Sequence, residues 1–226
     1  FANAGQTCTA PDYILCDELV HDDLVLALQK NISQFFAGGL DAAKKDYCSI
    51  ANEHHFNRLE GALADALSDG AELACGGEVS QEELHFTPAV LTGVNYDNSI
   101  MKEEIFGPIL PIIKVQSLDE SINYVNENEK PLALYLFSNK SAVHSEVLRS
   151  TSSGGMVIND CVLHHMNPNL PFGGINNSGV GSYHGKFGFD AFSHHKAVLK
   201  SSSISPFKIM LPPYTKTKEA LANLIK

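Results

Sequence analysis

No apolar run reaches the roughly eighteen residues that a membrane-crossing helix needs. No basic segment followed by an apolar one opens the chain, so no secretory signal is visible. No CxxC pair occurs, and the five cysteines, Cys8, Cys16, Cys48, Cys75 and Cys161, are odd in number and widely spaced. That pattern argues against a disulfide framework and against a zinc site, and it fits a reducing compartment. Basic residues are scarce: 16 Lys and Arg stand against 26 Asp and Glu, for a net charge of −10. Such a chain repels phosphate backbones, which excludes nucleic acid as an expected partner. There is no internal repeat, and a leading methionine is also missing. The chain opens Phe1-Ala-Asn-Ala-Gly-Gln-Thr-Cys8 and reads as though it begins in mid-domain.

What is there is globular. The apolar fraction is 44% of 226 residues, enough for one large domain, or a domain and a tail. Residues 12–16 suit a short buried strand. Leu24, Leu28, Ile32 and Phe35 fall on one face of a helix over 21–36, with Asp22 and Asp23 at its positive end and Gly38-Gly39 as its stop. Phe56, Leu59, Leu63 and Leu67 mark a second helix over 54–68. Short strands and turns fill 70–98. From 109 to 159 the pattern becomes β-α-β-α-β. Strands are expected at 109–115, 132–137 and 155–159. The capping-box sequence Ser117-Leu-Asp-Glu120 starts the first helix between them, and a helix over 141–149 follows. Such alternation predicts a parallel sheet with right-handed crossovers. In Pro171–Gly185 six of fifteen residues are glycine or proline, so this segment must be a shaped loop. A helical turn at 187–192, a strand at 197–200 and a weak helix at 217–225 complete the expectation.

Three short segments could carry chemistry. Gly5 lies just upstream of Cys8, and a glycine there lets backbone come close to a ligand. A thiolate is a strong nucleophile, although an isolated cysteine is more often a buried structural one. Glu103-Glu104-Ile105-Phe106-Gly107-Pro108 and Pro171-Phe172-Gly173-Gly174 with Ser178-Gly179 are, taken singly, ordinary turns. The pairs His54-His55, His164-His165 and His194-His195 do not chelate one metal well, because adjacent side chains point apart. Surface or hydrogen-bonded roles are expected for them, and no metal site is. Cys16 and Cys161 are expected in the core. Gly179-Val-Gly181-Ser-Tyr-His-Gly185 is no dinucleotide fingerprint, since its third glycine is one residue late.

Taken in order, the segments form a pattern. Asn3-Ala-Gly5-Gln6-Thr7-Cys8 resembles the cysteine motif of the aldehyde dehydrogenase superfamily. Glu104-Ile-Phe106-Gly107-Pro108 resembles its cofactor-contact motif, and Leu170-Pro-Phe-Gly-Gly174 with Ser178-Gly179 its C-terminal loop motif. The runs Ala10-Pro-Asp-Tyr-Ile-Leu-Cys16, Lys130-Pro-Leu-Ala-Leu-Tyr135 and Gly181-Ser-Tyr-His-Gly-Lys186 are similar to the class 3 branch, which includes the fatty aldehyde dehydrogenases. The resemblance extends from Phe1 to about Pro213.

The resemblance implies an α/β fold: the parallel-sheet catalytic domain of aldehyde dehydrogenases with helices on both faces, lacking the N-terminal Rossmann-like domain. It implies a catalytic domain over 1–200, incomplete at its N-terminus, and an oligomerisation or extension tail over 201–226. It makes Cys8 the nucleophile that forms a thiohemiacetal and then a thioester. Glu104 and Phe106 become contacts of an NAD or NADP cofactor, at its ribose and its nicotinamide. An aliphatic or aromatic aldehyde is the implied substrate, a homodimer the implied assembly. The cytosol, or a cytosol-facing membrane surface, is the implied location. His184 would line the aldehyde entrance.

The family's general-base glutamate belongs to a Glu-Leu-Gly-Gly-Lys-type segment upstream of the cysteine, and this sequence contains none. The chain is therefore expected to be part of a longer enzyme and inactive alone. Glu103 and Glu104 make poor substitutes unless they can reach the reacting water. Two other readings stand beside this one: a non-catalytic structural relative that keeps the fold, and slow ester hydrolysis by Cys8.

Overall fold

The computed structural model describes residues 1–37, 45–201, 207 and 211–223. They belong to two units, Phe1–Ala191 and Phe192–Lys226. In the first, the strands are β1 (Ile14–Asp17), β2 (Glu72–Cys75), β3 (Val79–Ser80), β4 (His85–Phe86), β5 (Ala89–Thr92), β6 (Ile109–Val115), β7 (Ala133–Leu136) and β8 (Gly155–Ile158). The helices of this unit are α1 (His21–Phe35), α2 (Glu53–Ser68), α3 (Leu118–Glu127), α4 (Ser141–Ser150) and α5 (Gly185–Ala191).

Strand β6 is apolar at every position but Lys114, and every residue except Lys114 is buried. A continuous apolar run of that kind suits a strand covered on both faces. It lies inside a four-stranded sheet of order β1-β6-β5-β2. β6 is parallel to β1, with Ile14 opposite Ile112, and parallel to β5, with Ala89 opposite Ile109. β2 closes one edge antiparallel to β5.

The two faces of β6 serve two helices. Ile112 joins Cys16 and Val90, and against them pack Leu24, Leu28 and Ile32 of α1. Ile109 and Ile113 point the other way and pack with Phe56, Leu59, Leu63 and Ala66 of α2. Helices therefore cover both faces. The α2 stripe follows the 3.6-residue period through Ala66, which leaves Leu67 at its margin, 38% exposed. The side chain of Asn52 caps α2 by accepting from the amide of His55 at 3.0 Å.

Some expectations need correction. The β-α-β-α-β pattern does not make one sheet. Both edges of β6 are taken by β1 and β5, so β7 has no edge to join there and pairs instead with β8, in a separate parallel sheet. Phe35 is exposed, and Phe36, stacked edge-on against Tyr47 at 4.9 Å, takes the inward direction instead. Gly38 and Gly39 lie outside the described residues. In the cap of α3, Ser117 accepts from the Glu120 amide as expected, but Glu120 reaches back to the amide of Gln116 and to the hydroxyl of Tyr96. Cys16 is in the core, whereas Cys161 is half-buried in a bend after β8.

The second unit contains α6 (Lys216–Asn223), where the weak helix was expected. Residues 197–200 form no strand. Val198 and Leu199 are exposed, and an extended segment without a ladder partner is not a strand.

Leu59 is fully buried between α2 and the sheet. Leu59→Ala should lower the unfolding free energy of the chain by about 2–5 kcal/mol, read as a lower urea midpoint at unchanged slope.

Candidate active site

Parallel pairing of β1 with β6 brings the loops before them to the same end of the sheet. Cys8 sits in the first loop and Phe106 in the second. The first begins with three left-handed residues, Asn3, Ala4 and Gly5, at φ 54°, 52° and 70°. It is tied by the side chain of Asn3, donating to the Gln6 carbonyl at 2.9 Å, and by Gln6. Gln6 accepts from the amide of Ala51 at 2.8 Å and donates to the Ser49 carbonyl at 3.1 Å. A turn follows, closed by the Ala10 amide donating to the Thr7 carbonyl at 2.9 Å, with Cys8 exposed at its tip and Thr9 buried.

The two loops touch backbone to backbone. A side chain at Gly5 would overlap the carbonyl of Gly107, and one at Gly107 would overlap Leu59. Three further bonds fix the second loop. Asp12 accepts from the amide of Ile105 at 2.9 Å, and Arg58 donates to the carbonyls of Glu104 and Ile105. Burial pushes the Asp12 carboxyl up to about 6, with the nearby Glu104 acting in the same direction. The side chain of Glu104 is exposed, and Phe106 is partly exposed on a left-handed backbone at φ 46°.

The third motif reaches the same region through aromatic rings. Phe172 pairs with Tyr183 through two backbone hydrogen bonds, and Gly154, Gly173 and Gly174 each abut backbone where a side chain would not fit. Ser178 closes the loop by hydrogen bonds with the amide and carbonyl of Ile175. The ring of Phe172 lies 5.8 Å from His164, which lies 6.0 Å from Tyr135. The Tyr135 hydroxyl donates to the Thr9 carbonyl, next to Cys8.

The aldehyde dehydrogenase family profile matches residues 1–198. The chain belongs to the aldehyde dehydrogenase family. It is 44% identical over 216 residues to the rat dimeric NADP-preferring aldehyde dehydrogenase, covering 94% of this chain and 46% of the relative. It is 45% identical over 214 residues to 4,4'-diaponeurosporen-aldehyde dehydrogenase of Staphylococcus aureus, covering 95% and 46%. A solved structure of Staphylococcus aureus AldH in a substrate-bound state is similar at a TM-score of 0.90 and 42% identity, covering 99% of this chain and 48% of that one. The chain thus spans about half the length of the relatives it matches. Class 3 members are among those relatives, at 41–46% identity.

Within this aldehyde dehydrogenase chain the three motifs are brought together, but not always as expected. Gly5 admits the Gly107 carbonyl rather than a ligand. His54, His55, His194 and His195 are exposed. His164 is neither exposed nor hydrogen-bonded: it is buried, neither ring nitrogen has a partner among the described residues, and burial lowers its pKa. His184 stacks on Phe172 at 5.5 Å. Gln6, Asp12, Arg58 and Tyr135 were not singled out. The one available signal was an acid, Asp12, in an otherwise apolar run. A concavity of about 710 Å³ lies between α1 and β5–β6, and none of Cys8, Glu104 and Phe106 lines it.

Two tests follow from this geometry. Gly5→Ala forces a left-handed alanine and a backbone overlap, and should cost more than about 2 kcal/mol of stability by denaturant unfolding. Asp12 holds its proton more tightly in the fold than at its ordinary 3.8, so its contribution is fully present below that pH and is lost as pH rises through about 6. Relative to Asp12→Asn, the parent should lose about 2–3 kcal/mol of unfolding free energy between pH 4 and 7. Parallel curves for the two proteins would contradict the assignment.

Proposed function

We propose that this chain carries the nucleophile-bearing part of a class 3 aldehyde dehydrogenase, which oxidises an aliphatic or aromatic aldehyde to a carboxylic acid with NAD or NADP. The observation that carries this reading is the Gly5–Gly107 contact, which packs the Cys8 loop against the Glu104–Phe106 loop. Because the chain spans about half the length of its relatives, the activity belongs to the complete protein.

Cys8 supports the role of nucleophile by its exposure at the tip of a tight turn. Its sulfur adds to the carbonyl carbon of the aldehyde and gives a thiohemiacetal on the protein. Loss of a hydride converts this adduct to a thioester. Water then cleaves the thioester, releasing the acid and the thiolate. Sulfur suits both halves because it attacks well and leaves well.

A nicotinamide cofactor supplies the hydride acceptor when bound. The donor set fits such a group. The exposed carboxylate of Glu104 can accept from ribose hydroxyls, and the open ring of Phe106 offers an apolar face beside them. Arg58 and Asp12 hold the backbone of Glu104 and of Ile105, which joins it to Phe106, so the contact surface is fixed before anything binds.

Two copies of the complete protein pair, by analogy with the rat relative described as dimeric. Among the described residues no helix is long and apolar enough to cross a membrane. The odd, unpaired cysteines support a reducing compartment, the cytosol or a membrane surface facing it.

The test is NADH or NADPH formation with hexanal and benzaldehyde. The complete protein should turn over and its Cys8→Ala variant should not; turnover by the variant would remove Cys8 from the mechanism. The 226-residue chain alone should give no cofactor reduction.

A further inference from the structure

Tyr135 ends the run Lys130-Pro-Leu-Ala-Leu-Tyr135, which the reaction above does not use. It lies on β7, far from Cys8 in sequence. Its hydroxyl nevertheless donates to the Thr9 carbonyl at 2.6 Å. Thr9 is 3% exposed, so no water competes freely for that oxygen. The turn bearing Cys8 is thus held at two carbonyls: that of Thr7 by the Ala10 amide, and that of Thr9 by Tyr135.

The tyrosine is itself supported. Strand β7 is paired along its length with β8. The ring of His164 meets Tyr135 edge-on, and His164 in turn lies against Gly155, where no side chain would fit. Burial raises the Tyr135 phenol, so it remains a donor across neutral pH.

We infer that Tyr135 is a positioning residue for Cys8, orienting the thiol through the Thr9 carbonyl. The inference rests on the reading of Cys8 as the nucleophile. A carbonyl held in place fixes the rotation of the peptide plane that follows Thr9. With the turn closed at Thr7 as well, the Cys8 side chain is presented from one backbone conformation. Without the phenol the turn can rotate, and a thiol that spends less time in its attacking orientation reacts more slowly.

Tyr135→Phe keeps the ring against His164 and removes only the hydroxyl. In the complete enzyme, kcat for hexanal oxidation should fall about tenfold while KM changes less than about twofold. In the 226-residue chain, alkylation of Cys8 by iodoacetamide, followed by peptide mass spectrometry, should slow about threefold relative to the exposed Cys48. An unchanged kcat with an unchanged alkylation ratio overturns the inference. So does a matched loss at Cys8 and Cys48 with a lower unfolding midpoint, which would mark a purely structural role. If Cys8→Ala retains turnover, the nucleophile reading fails, and the alkylation ratio alone decides whether Tyr135 orients the thiol.

Discussion

The contact between Gly5 and the carbonyl of Gly107 is the constraint around which the site is arranged. Two loops from distant parts of the chain meet there with no side chain between them. Leu59 occupies the space beside Gly107, so helix α2 backs the contact from the core. Backbone meeting backbone gives a separation that side-chain motion cannot loosen. The left-handed residues Asn3, Ala4 and Phe106 flank the contact; asparagine enters that region readily, but for residues such as Ala4 and Phe106 it costs roughly 1–2 kcal/mol each. The hydrogen bonds of Gln6, Asp12 and Arg58 hold the loops against that cost.

The sheet decides why these loops can meet at all. In a parallel pair, the segments leading into both strands emerge at one end. β1 and β6 are such a pair, and the cysteine motif precedes one while the cofactor-contact motif precedes the other. The smaller β7–β8 sheet provides a second support, with Tyr135 on one strand and Gly155 on the other. Its aromatic chain from Phe172 through His164 links the glycine-rich loop to the residue after the cysteine.

Much of this was legible in the sequence because it is local. The helical stripe of Phe56, Leu59 and Leu63 and the apolar run at Ile109–Val115 each state their own structure. The three motifs were legible through resemblance. What was not legible depends on partners distant in sequence. Nothing near Asp12 announces that Ile105 will need an acceptor, and nothing near Gln6 announces Ser49 and Ala51. The alternation from 109 to 159 was read as one sheet because a local pattern does not say which edges are already occupied. Phe35 and Leu67 failed for a smaller reason. Each sits one position away from the residue that packs inward, Phe36 against Tyr47 and Ala66 in the core.

The pairing of β1 with β6 also bears on how the molecule is made. β1 ends at Asp17, and its partner β6 does not begin until Ile109. During synthesis β1 therefore waits for this partner while the helices and strands between them leave the ribosome. At typical elongation rates of about 5–20 residues per second, that interval is on the order of five to twenty seconds. The turn that carries Cys8 cannot be complete even then, because Tyr135 is made later still. The thiol thus acquires its surroundings late, after most of the domain that displays it has been made.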